Sequence, residues 1–446
     1  MGRRAQARRL ALWMNGERVG TWVARSAGDE LHYDAQWIGS PRGRPLSLSL
    51  PFLPGQRPHK GAAVRAWFEN LLPDSAPIRE RLARRFRAAT TQAFDLLEQI
   101  GRDCVGALQL VPDGVDPGDI RKIDAEPLDE AGVARLLRAA VALPAPGEEA
   151  GAADLRISIA GAQEKTALLW HDGRWWRPRG ATPTTHILKL PMGVVGPQRL
   201  DLRDLVDNEW LCAQLLDAFG VPVARCHPLA FEDRRVLGVE RFDRRRTDDG
   251  RWLLRLPQED LCQATGTPPH LRYESDGGPG IARVLDVLAG SSRRDTDRAT
   301  FFRSQVLFWL LCAPDGHAKN FSIALRPGGA YVLTPLYDVL SAYPLLGRGA
   351  NQLSPHRVRL AMAVRANHAH WRVAEVRRRH WVQLGHAHGI VTADGGDAEA
   401  IIDDLVARAP TVVDRVRTML PDHFPAALAD RVFAGVLTAA RRLAAP

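Results

Sequence analysis

Three side chains in one stretch of the sequence have the types and the spacing of a phosphoryl-transfer site. Asp315 and Asn320 lie five residues apart in a loop, and Asp338 follows a short predicted hairpin. Such a site needs one carboxylate that orients the acceptor hydroxyl, and an amide and a second carboxylate that hold magnesium against the phosphates. We therefore predict that Asp315 is the catalytic residue and that Asn320 and Asp338 are magnesium ligands.

A turn of small residues between two predicted strands lies far upstream of that loop. A turn of this kind lets backbone N–H groups approach phosphate oxygens. It is not a Walker motif, because no Gly-Lys-Ser/Thr opens a helix, and a plain hairpin turn is the alternative interpretation. The residues of the turn are Ala160, Gly161, Ala162, Gln163, Glu164 and Lys165.

Lys189 stands inside an apolar predicted strand at residues 185–193. An ammonium group among apolar side chains costs free energy unless it has a partner. One interpretation is a lysine that reaches the phosphates of a nucleotide, and the other is an edge-strand lysine that faces water. Glu209, on a predicted amphipathic helix at 201–221, is either the partner of Lys189 or a solvated helix glutamate.

The whole chain has ordinary globular composition, with 45% apolar and 25% charged residues among 446. Its net charge of +9 permits an acidic or nucleic-acid partner, although arginine supplies all but five of the basic residues. Five scattered cysteines without paired or metal-like spacing indicate reduced thiols. No apolar run reaches spanning length and no signal peptide is evident, so we expect a cytoplasmic protein with no membrane partner.

Local patterns predict the elements that position these side chains. Asn15-Gly16 marks a hairpin turn, and alternation of apolar residues over 31–37 and 46–50 predicts further strands. The chain is strand-rich early and helix-rich late, which predicts an α+β fold. Beside 201–221, the predicted helices cover 75–86, 91–100, 128–142, 255–266, 303–312, 397–408, 412–420 and 426–443.

A basic segment at 356–381 contains clustered arginine and histidine residues with Trp371 and Trp381, and we predict that it is a helix. A basic helix interleaved with aromatic residues can contact a phosphate backbone. A solvated helix face is the alternative. Arg377, Arg378 and Arg379 are the candidate DNA contacts.

The order of these features along the chain is that of a protein-kinase-like fold, from the small-residue turn to the second aspartate. In that order the strand at 236–245 would lead into a linker and offer backbone groups to an adenine. Two segments depart from ordinary protein kinases. Ala313-Pro314-Asp315 stands in place of His-Arg-Asp, and Tyr337-Asp338-Val339 in place of Asp-Phe-Gly.

Several longer motifs give the sequence a specific resemblance. They are RISIAGAQEKTALL (156–169), PTTHILKLP (183–191), VDNEW (206–210), VERFDRR (239–245), LLRLPQED (253–260), YESDGGPGIAR (273–283), DGHAKNFS (315–322) and LTPLYD (333–338). In these motifs the chain closely resembles the HipA family of bacterial kinase toxins. The resemblance implies a two-lobed, kinase-like fold with an N-terminal α/β part (1–140), a linker (141–155), ATP-binding strands (156–245) and a helical C-terminal lobe (246–446).

The resemblance also implies a site for ATP and Mg²⁺, in which Asp315 receives or orients the acceptor hydroxyl. Ser158, just before the turn, would be autophosphorylated, and its phosphate would add a charge of about −1.5 to −2 beside the loop meant for ATP. That charge would expel the loop and inactivate the enzyme. The expected nucleotide-site residues are Ala160–Lys165, Lys189, Glu240, Arg241, Phe242, His317, Ala318, Lys319, Asn320, Tyr337 and Asp338.

The family's partners follow from the same resemblance. The expected substrate is glutamyl-tRNA synthetase, whose phosphorylation would arrest growth. The expected partner is a HipB-like helix-turn-helix antitoxin dimer that carries the toxin to operator DNA. Two other functions stay open, a DNA-binding corepressor with a vestigial kinase site and a small-molecule kinase of similar fold.

Overall fold

The computed structural model describes residues 7–141, 160–161 and 163–445. Ser158, Ala162 and nearly all of the predicted linker at 141–155 lie outside the described residues. The domain boundaries given above stay predictions. Two compact units are present: unit 1 comprises Met1–Leu190, Leu229–His270 and Ile323–Ala330, and unit 2 comprises Pro191–Pro228, Leu271–Ser322 and Tyr331–Pro446.

The described ranges contain both strands and α-helices. The strands are β1 (Arg8–Met14), β2 (Glu17–Arg25), β3 (Gly28–Tyr33), β4 (His59–Lys60), β5 (Leu108–Pro112), β6 (Ala125–Leu128), β7 (Lys165–His171), β8 (Arg174–Pro178), β9 (His186–Lys189), β10 (Gly193–Val195), β11 (Leu200–Leu202), β12 (Cys226–Phe231), β13 (Arg234–Glu240), β14 (Arg244–Arg246), β15 (Leu253–Arg255), β16 (Gln258–Asp260), β17 (Ser322–Leu325), β18 (Tyr331–Leu333), β19 (Arg359–Arg365) and β20 (Ala369–Arg372). The helices are α1 (Ala35–Ile38), α2 (Ala62–Glu69), α3 (Ala76–Phe86), α4 (Ala93–Ile100), α5 (Glu130–Val141), α6 (Leu205–Ala218), α7 (Leu261–Ala264), α8 (Ile281–Leu288), α9 (Arg294–Leu310), α10 (Arg378–Ala387), α11 (Ala398–Thr418) and α12 (Ala426–Ala444).

The first sheet of unit 1 is antiparallel, with the strand order β4-β3-β2-β1-β5. The predicted hairpin is confirmed, because Asn15 and Gly16 join β1 to β2 with φ angles of 46° and 81°. These are the left-handed angles that a tight hairpin turn requires. Trp22 of β2 stacks on Phe68 of α2, with ring centroids 3.9 Å apart. Buried side chains of α2 and α4 complete this core.

The second sheet of unit 1 contains the candidate lysines. Its order is β12-β13-β9-β7-β8-β6, so β9 is an interior strand between β13 and β7. Leu168, Leu188 and Val236 from these strands pack with buried residues of α5 in one apolar core. Because β9 is an interior strand, the side chains that alternate with Leu188 along it do not lie at an edge of the sheet.

Unit 2 is mainly helical, and its α11 contacts α6, α9 and α12. α11 runs continuously from Ala398 to Thr418 with Pro410 inside it, so the predicted break between 408 and 412 is wrong. Proline removes one helical hydrogen bond. The buried stripe nevertheless continues on both sides, through Leu405 and Val413, and holds the helix together. Among the helices of the described ranges, none combines the length and the apolar character that crossing a bilayer requires.

The two predicted strands near the N-terminus are shorter than expected or absent. β3 ends at Tyr33, and residues 35–38 form α1. Residues 46–50 form a turn with one isolated bridge between Ser47 and Leu50. Leu46 and Leu50 are buried all the same. The alternation of leucine and serine in the sequence therefore resembles a strand, although the segment is a turn.

The basic segment at 356–381 is a β-hairpin followed by the start of α10, so the predicted helix is wrong. β19 pairs with β20. Five consecutive residues of β19, 360–364, are buried. Alanine, leucine, methionine and arginine favour helices in isolation. Here burial of the strand in tertiary structure outweighs that preference.

Residues 255–266 contain strands before their helix. Asp260 caps α7, because its carboxylate accepts the Gln263 N–H at 2.8 Å and the Gln263 side chain accepts the Asp260 N–H at 3.0 Å. Glu259 belongs to β16 and is fully buried. The sequence pattern predicts Glu259 and Asp260 as acidic residues of the first helical turn, but Glu259 lies in the strand before the helix.

Glu259 should make the stability of the protein depend on pH. Burial raises the pKa of this carboxyl to about 8, although it accepts hydrogen bonds from the Leu48 N–H at 2.9 Å and from Trp67 Nε1 at 3.2 Å. A group with a raised folded pKa contributes stability below its unfolded pKa and loses it as pH rises through the folded pKa. Between those values, Glu259→Gln should flatten the fall of the unfolding free energy by about 1.4 kcal/mol per pH unit.

Urea unfolding at a series of pH values measures this slope. Glu80→Gln, at an exposed position of α3, is the matched control and should leave the slope unchanged. Equal slopes for the native protein and Glu259→Gln would contradict the assignment.

Candidate active site

The loop that carries Asp315 follows α9 directly and is held by backbone hydrogen bonds. Cys312 adopts a left-handed φ of 49°, and the Ala313 N–H donates to the Phe308 carbonyl at 2.7 Å. A Cβ at Gly316 would lie 2.3 Å from a ring carbon of Phe308, so only glycine fits there. The end of α9 thus fixes the backbone on both sides of Asp315.

The carboxylate of Asp315 meets two side chains of unit 2. The hydroxyl of Tyr273 donates a hydrogen bond to Oδ1 of Asp315. The Tyr273 ring lies edge-on to the His317 ring, with centroids 4.9 Å apart. Nε2 of His317 is 3.9 Å from the same Asp315 oxygen. Tyr273 was not among the predicted site residues.

These neighbours set the protonation of the site. Loss of contact with water raises the pKa of Asp315, and the Asp338 carboxylate adds to that rise, whereas His317 and Tyr273 oppose it. Because 51% of the Asp315 side chain is still exposed, water screens part of this rise. Burial lowers the pKa of His317, so this imidazole is neutral at pH 7. Its Nδ1 makes no hydrogen bond within the described chain.

The amide of Asn320 is oriented by the loop itself. Its Nδ2 donates to the backbone carbonyl of Asp315 at 2.6 Å. The amide oxygen is consequently the atom left to act as a ligand. Ala318, Lys319 and Asn320 form one buried turn of 3₁₀-helix. The hydroxyl of Tyr337 braces this turn by donating to the Lys319 carbonyl at 3.0 Å.

Asp338 has a left-handed backbone that is held from both sides. Its φ is 61°, in a region that, apart from glycine, asparagine and aspartate adopt most readily. Before it, the Leu336 N–H donates to the Pro222 carbonyl at 2.8 Å. After it, the Ser341 N–H donates to Oδ1 of Asn208 at 2.9 Å. These two hydrogen bonds fix the chain on either side of Asp338.

The oxygen atoms of Asn320 and Asp338 are the kind of ligand that a hard cation such as magnesium takes. Within residues 7–141, 160–161 and 163–445, no group of three or more His, Cys, Asp or Glu could hold a metal by itself. Magnesium usually takes one or two carboxylates and fills its other positions with phosphate and water oxygens. After burial, the negative charge of Asp338 also contributes to the raised pKa of Asp315, and a bound cation would relieve this repulsion. The donor set therefore fits a cation that arrives with phosphates.

Lys165 and Lys189 of unit 1 lie directly opposite each other on β7 and β9. Directly opposite residues share one face of a sheet, and like charges in such positions destabilise it. Lys189 is 6% exposed on an interior strand, so the edge-strand interpretation is wrong. Glu209 is buried in α6, and the solvated-glutamate interpretation is wrong as well. An anion bound beside the two lysines would offset their repulsion.

The small-residue turn packs against Lys165 and the segment before α3. Gly161 has a φ of 115°, and its carbonyl accepts the Asp74 N–H at 3.2 Å. A Cβ at Gly161 would lie 2.3 Å from Nζ of Lys165, so a side chain here would displace the lysine. Nζ of Lys165 donates to the Ala160 carbonyl at 2.7 Å. The close approach of Lys165 to the backbone of the turn thus depends on glycine at position 161.

The side chains of Gln163 and Glu164 in the turn bind other groups of the protein. Nε2 of Gln163 donates to the Leu190 carbonyl at 2.6 Å. The Glu164 carboxylate forms an ion pair with Arg81. Their side chains hold the turn in place. Of the described turn residues, Ala160, Gly161 and Lys165 are the better candidates for contact with a ligand.

Arg241 belongs to a buried ion network and not to an open site. Its guanidinium is 2% exposed and donates to Asp243 at 2.8 Å and to the Thr184 hydroxyl at 3.0 Å. Its backbone N–H donates to the Thr185 carbonyl at 2.8 Å. Of the three residues predicted to meet adenine, Glu240 and Phe242 remain candidates, whereas Arg241 holds the strand end in position.

The three arginines predicted to contact DNA differ in their surroundings. Arg378 is partly buried and forms ion pairs with Asp403 at 2.7 Å and Glu399 at 3.8 Å. Arg377 and Arg379 are exposed. Only these two present their charge to solvent.

Both parts of the chain match known families. Residues 157–413 match the family model of the HipA-like C-terminal domain, and residues 10–111 match that of the HipA N-terminal domain. Y4mE of Sinorhizobium fredii, a candidate kinase by name, is 36% identical over 361 residues, which cover 79% of this chain and 82% of that protein. The serine/threonine-protein kinase toxin HipA of Shewanella oneidensis is 30% identical over 325 residues, covering 70% of this chain and 69% of that protein.

One solved structure matches over nearly the whole length. It is a chain of the complex of HipA, HipB and operator DNA from Shewanella oneidensis MR-1. The TM-score is 0.77 at 22% identity, covering 98% of this chain and 97% of that chain. At this identity the likeness shows a shared fold, and it confirms the predicted α+β architecture.

Proposed function

The chain belongs to the HipA family of serine/threonine-protein kinase toxins, and we propose that it transfers the γ-phosphate of ATP to protein serine or threonine in the presence of magnesium. The observation that carries the proposal is the gathering of Asp315, Asn320 and Asp338 in unit 2. The Asp315 carboxylate there already accepts a hydrogen bond from the Tyr273 hydroxyl, as a base facing an acceptor would. The other two side chains supply oxygen ligands.

Each side chain has a role that its surroundings suit. Lys165, Lys189 and the N–H groups of the turn would bind the phosphates of ATP. Asn320 and Asp338 would hold magnesium, which when bound neutralises charge on the phosphates. Asp315 would accept the hydrogen bond of the acceptor hydroxyl and direct its oxygen to the γ-phosphorus.

Regulation and partners form the finer part of the proposal. Ser158 lies two residues before Ala160, so its phosphorylation would place negative charge beside the turn assigned to ATP and switch the enzyme off. We further propose glutamyl-tRNA synthetase as the substrate and growth arrest as the outcome of a type II toxin–antitoxin module. A HipB-like antitoxin dimer would carry the chain to operator DNA, where Arg377 and Arg379 are the candidate phosphate contacts.

A phosphate-transfer assay with γ-labelled ATP and magnesium tests the proposal. We expect label on glutamyl-tRNA synthetase and on the chain itself, with the second signal lost in Ser158→Ala. If neither protein takes up phosphate, the kinase assignment fails. The DNA-binding corepressor with a vestigial site would then be the better description.

Tyr273→Phe should slow turnover by about 10-fold to 100-fold, as expected for losing a hydrogen bond to a charged group. The hydroxyl holds the Asp315 carboxylate in one rotamer, so kcat should fall while KM for ATP stays the same. Initial rates over a range of ATP concentrations measure both quantities. Tyr343→Phe is the matched control, because that hydroxyl donates to the Leu310 carbonyl instead. An unchanged kcat in Tyr273→Phe would remove this positioning role.

A further inference from the structure

Unit 1 contains a cavity of about 700 Å³ that none of the proposed catalytic or nucleotide residues lines. Its wall comes from the β1–β2 turn, the segment after α1, the loop at 118–121 and the end of β15. This volume is in the usual range for small-molecule sites. The cavity therefore has room for a ligand other than the ATP assigned above.

The wall carries more positive than negative charge. Arg42 pairs with Glu17 at 2.8 Å. Arg44 donates only to carbonyl oxygens, and burial lowers its pKa. Arg121 and Arg245 are exposed on the wall and form no ion pair with any residue in the described ranges. Three guanidinium groups thus form no ion pair within the described ranges, and Asp119 is the one carboxylate on the wall besides the paired Glu17.

A buried ion network behind the wall adds to this charge. Arg255 is 1% exposed, donates through Nε to Asp103 at 3.0 Å, and its Nη1 has no hydrogen-bond partner in the described chain. Asp103 and Asp243 are the two carboxylates that balance three buried guanidinium groups, those of Arg241, Arg244 and Arg255. The excess positive charge lies in a medium of low dielectric, which strengthens its attraction for an anion in the cavity.

Aromatic and fixed polar groups complete the wall. Trp252 is partly exposed, and Trp37 is buried with its Nε1 donating to the Arg44 carbonyl at 2.8 Å. The side chain of Asn15 exchanges two hydrogen bonds with the backbone of Arg255, at 2.8 and 3.0 Å. The wall is therefore formed before any ligand binds, which lowers the entropy cost of binding.

We propose that this cavity binds a phosphorylated ligand with a flat ring, of about the size of a mononucleotide. The planar fork of an arginine matches the oxygens of a phosphate group. The Trp252 indole offers a face on which a ring can stack. The site would give unit 1 a ligand of its own, separate from the ATP at Lys165 and Lys189, and it does not depend on the kinase assignment.

Calorimetric titration of the full chain in magnesium-free buffer tests the proposal, with guanosine diphosphate and pyrophosphate as probes. Guanosine diphosphate should bind more tightly, because its ring adds to the phosphate contacts. Arg121→Glu and Arg245→Glu should each weaken binding by about tenfold or more, the effect of losing one charge-assisted contact. Trp252→Ala should weaken binding of guanosine diphosphate but not of pyrophosphate.

Arg246→Glu is the matched control, since Arg246 follows Arg245 on β14 but does not line the cavity. It should leave both affinities unchanged. The proposal is overturned if neither probe binds at millimolar concentration. It is overturned equally if Lys189→Met abolishes binding of guanosine diphosphate while Arg245→Glu does not, because the ligand would then occupy the proposed ATP site.

Discussion

Asp315→Asn should lower the rate of phosphate transfer by about 10²-fold to 10⁴-fold, the usual contribution of a general base. The substitution keeps the size of the side chain and removes its charge. The loop should stay folded, because the Asn320 amide and the His317 N–H both bind the backbone carbonyl of residue 315 and not its carboxylate. Initial rates with labelled ATP, together with the dissociation constant of ATP, measure the effect.

Asp286→Asn is the matched control, because Asp286 is an exposed aspartate on α8 in the same unit. It should leave kcat unchanged. The affinity for ATP should survive in both variants, since the residues proposed to bind the phosphates are intact. Full turnover in Asp315→Asn would exclude Asp315 as the base. Adding Tyr273→Phe to that variant should then leave turnover unchanged.

The sequence predicts correctly those features that depend on residues close together along the chain. Asp315 and Asn320 are five residues apart, and one loop with local hydrogen bonds brings them together. The hairpin at Asn15-Gly16 likewise depends on the φ preferences of two adjacent residues. In both places the physical cause is local, so the sequence contains it.

Pairs that are distant in sequence could not be placed in this way. Lys165 and Lys189 were singled out separately, but their direct opposition depends on the register of β7 and β9, which many weak contacts decide together. Tyr273 lies 42 residues before Asp315, and its role depends on where the chain folds back. Its motif, YESDGGPGIAR, is one of those that carry the family resemblance, and this is the signal in the sequence that points to Tyr273.

The sequence does not show which charged residues are buried. The resemblance places Arg241 near an adenine, and its guanidinium joins a buried network with Asp103, from 138 residues earlier. Glu259 is fully buried and accepts a hydrogen bond from Trp67. Charged residues usually face water. The folded structure shows which charged residues are instead buried with a partner.

Asp338→Asn should lower magnesium-dependent turnover by more than about a hundredfold, because an amide holds magnesium more weakly than a carboxylate does. Asparagine and aspartate both tolerate the left-handed backbone, so the φ of 61° at this position should persist. The loss should therefore come from the metal and not from the fold. Titration of activity with magnesium, compared with thermal unfolding of the same variant, separates these causes.

The matched variant for this experiment is Asp338→Ala, which removes the ligand and also places alanine in a strained left-handed conformation. It should lose turnover and stability together, whereas Asp338→Asn should lose turnover alone. Removing the Asp338 charge should also lower the pKa of Asp315, since repulsion between the two carboxylates now raises it. The base would then stay ionised to lower pH, so loss of turnover in Asp338→Asn could not be ascribed to a protonated Asp315. Full turnover at ordinary magnesium concentrations would instead remove Asp338 from the metal site.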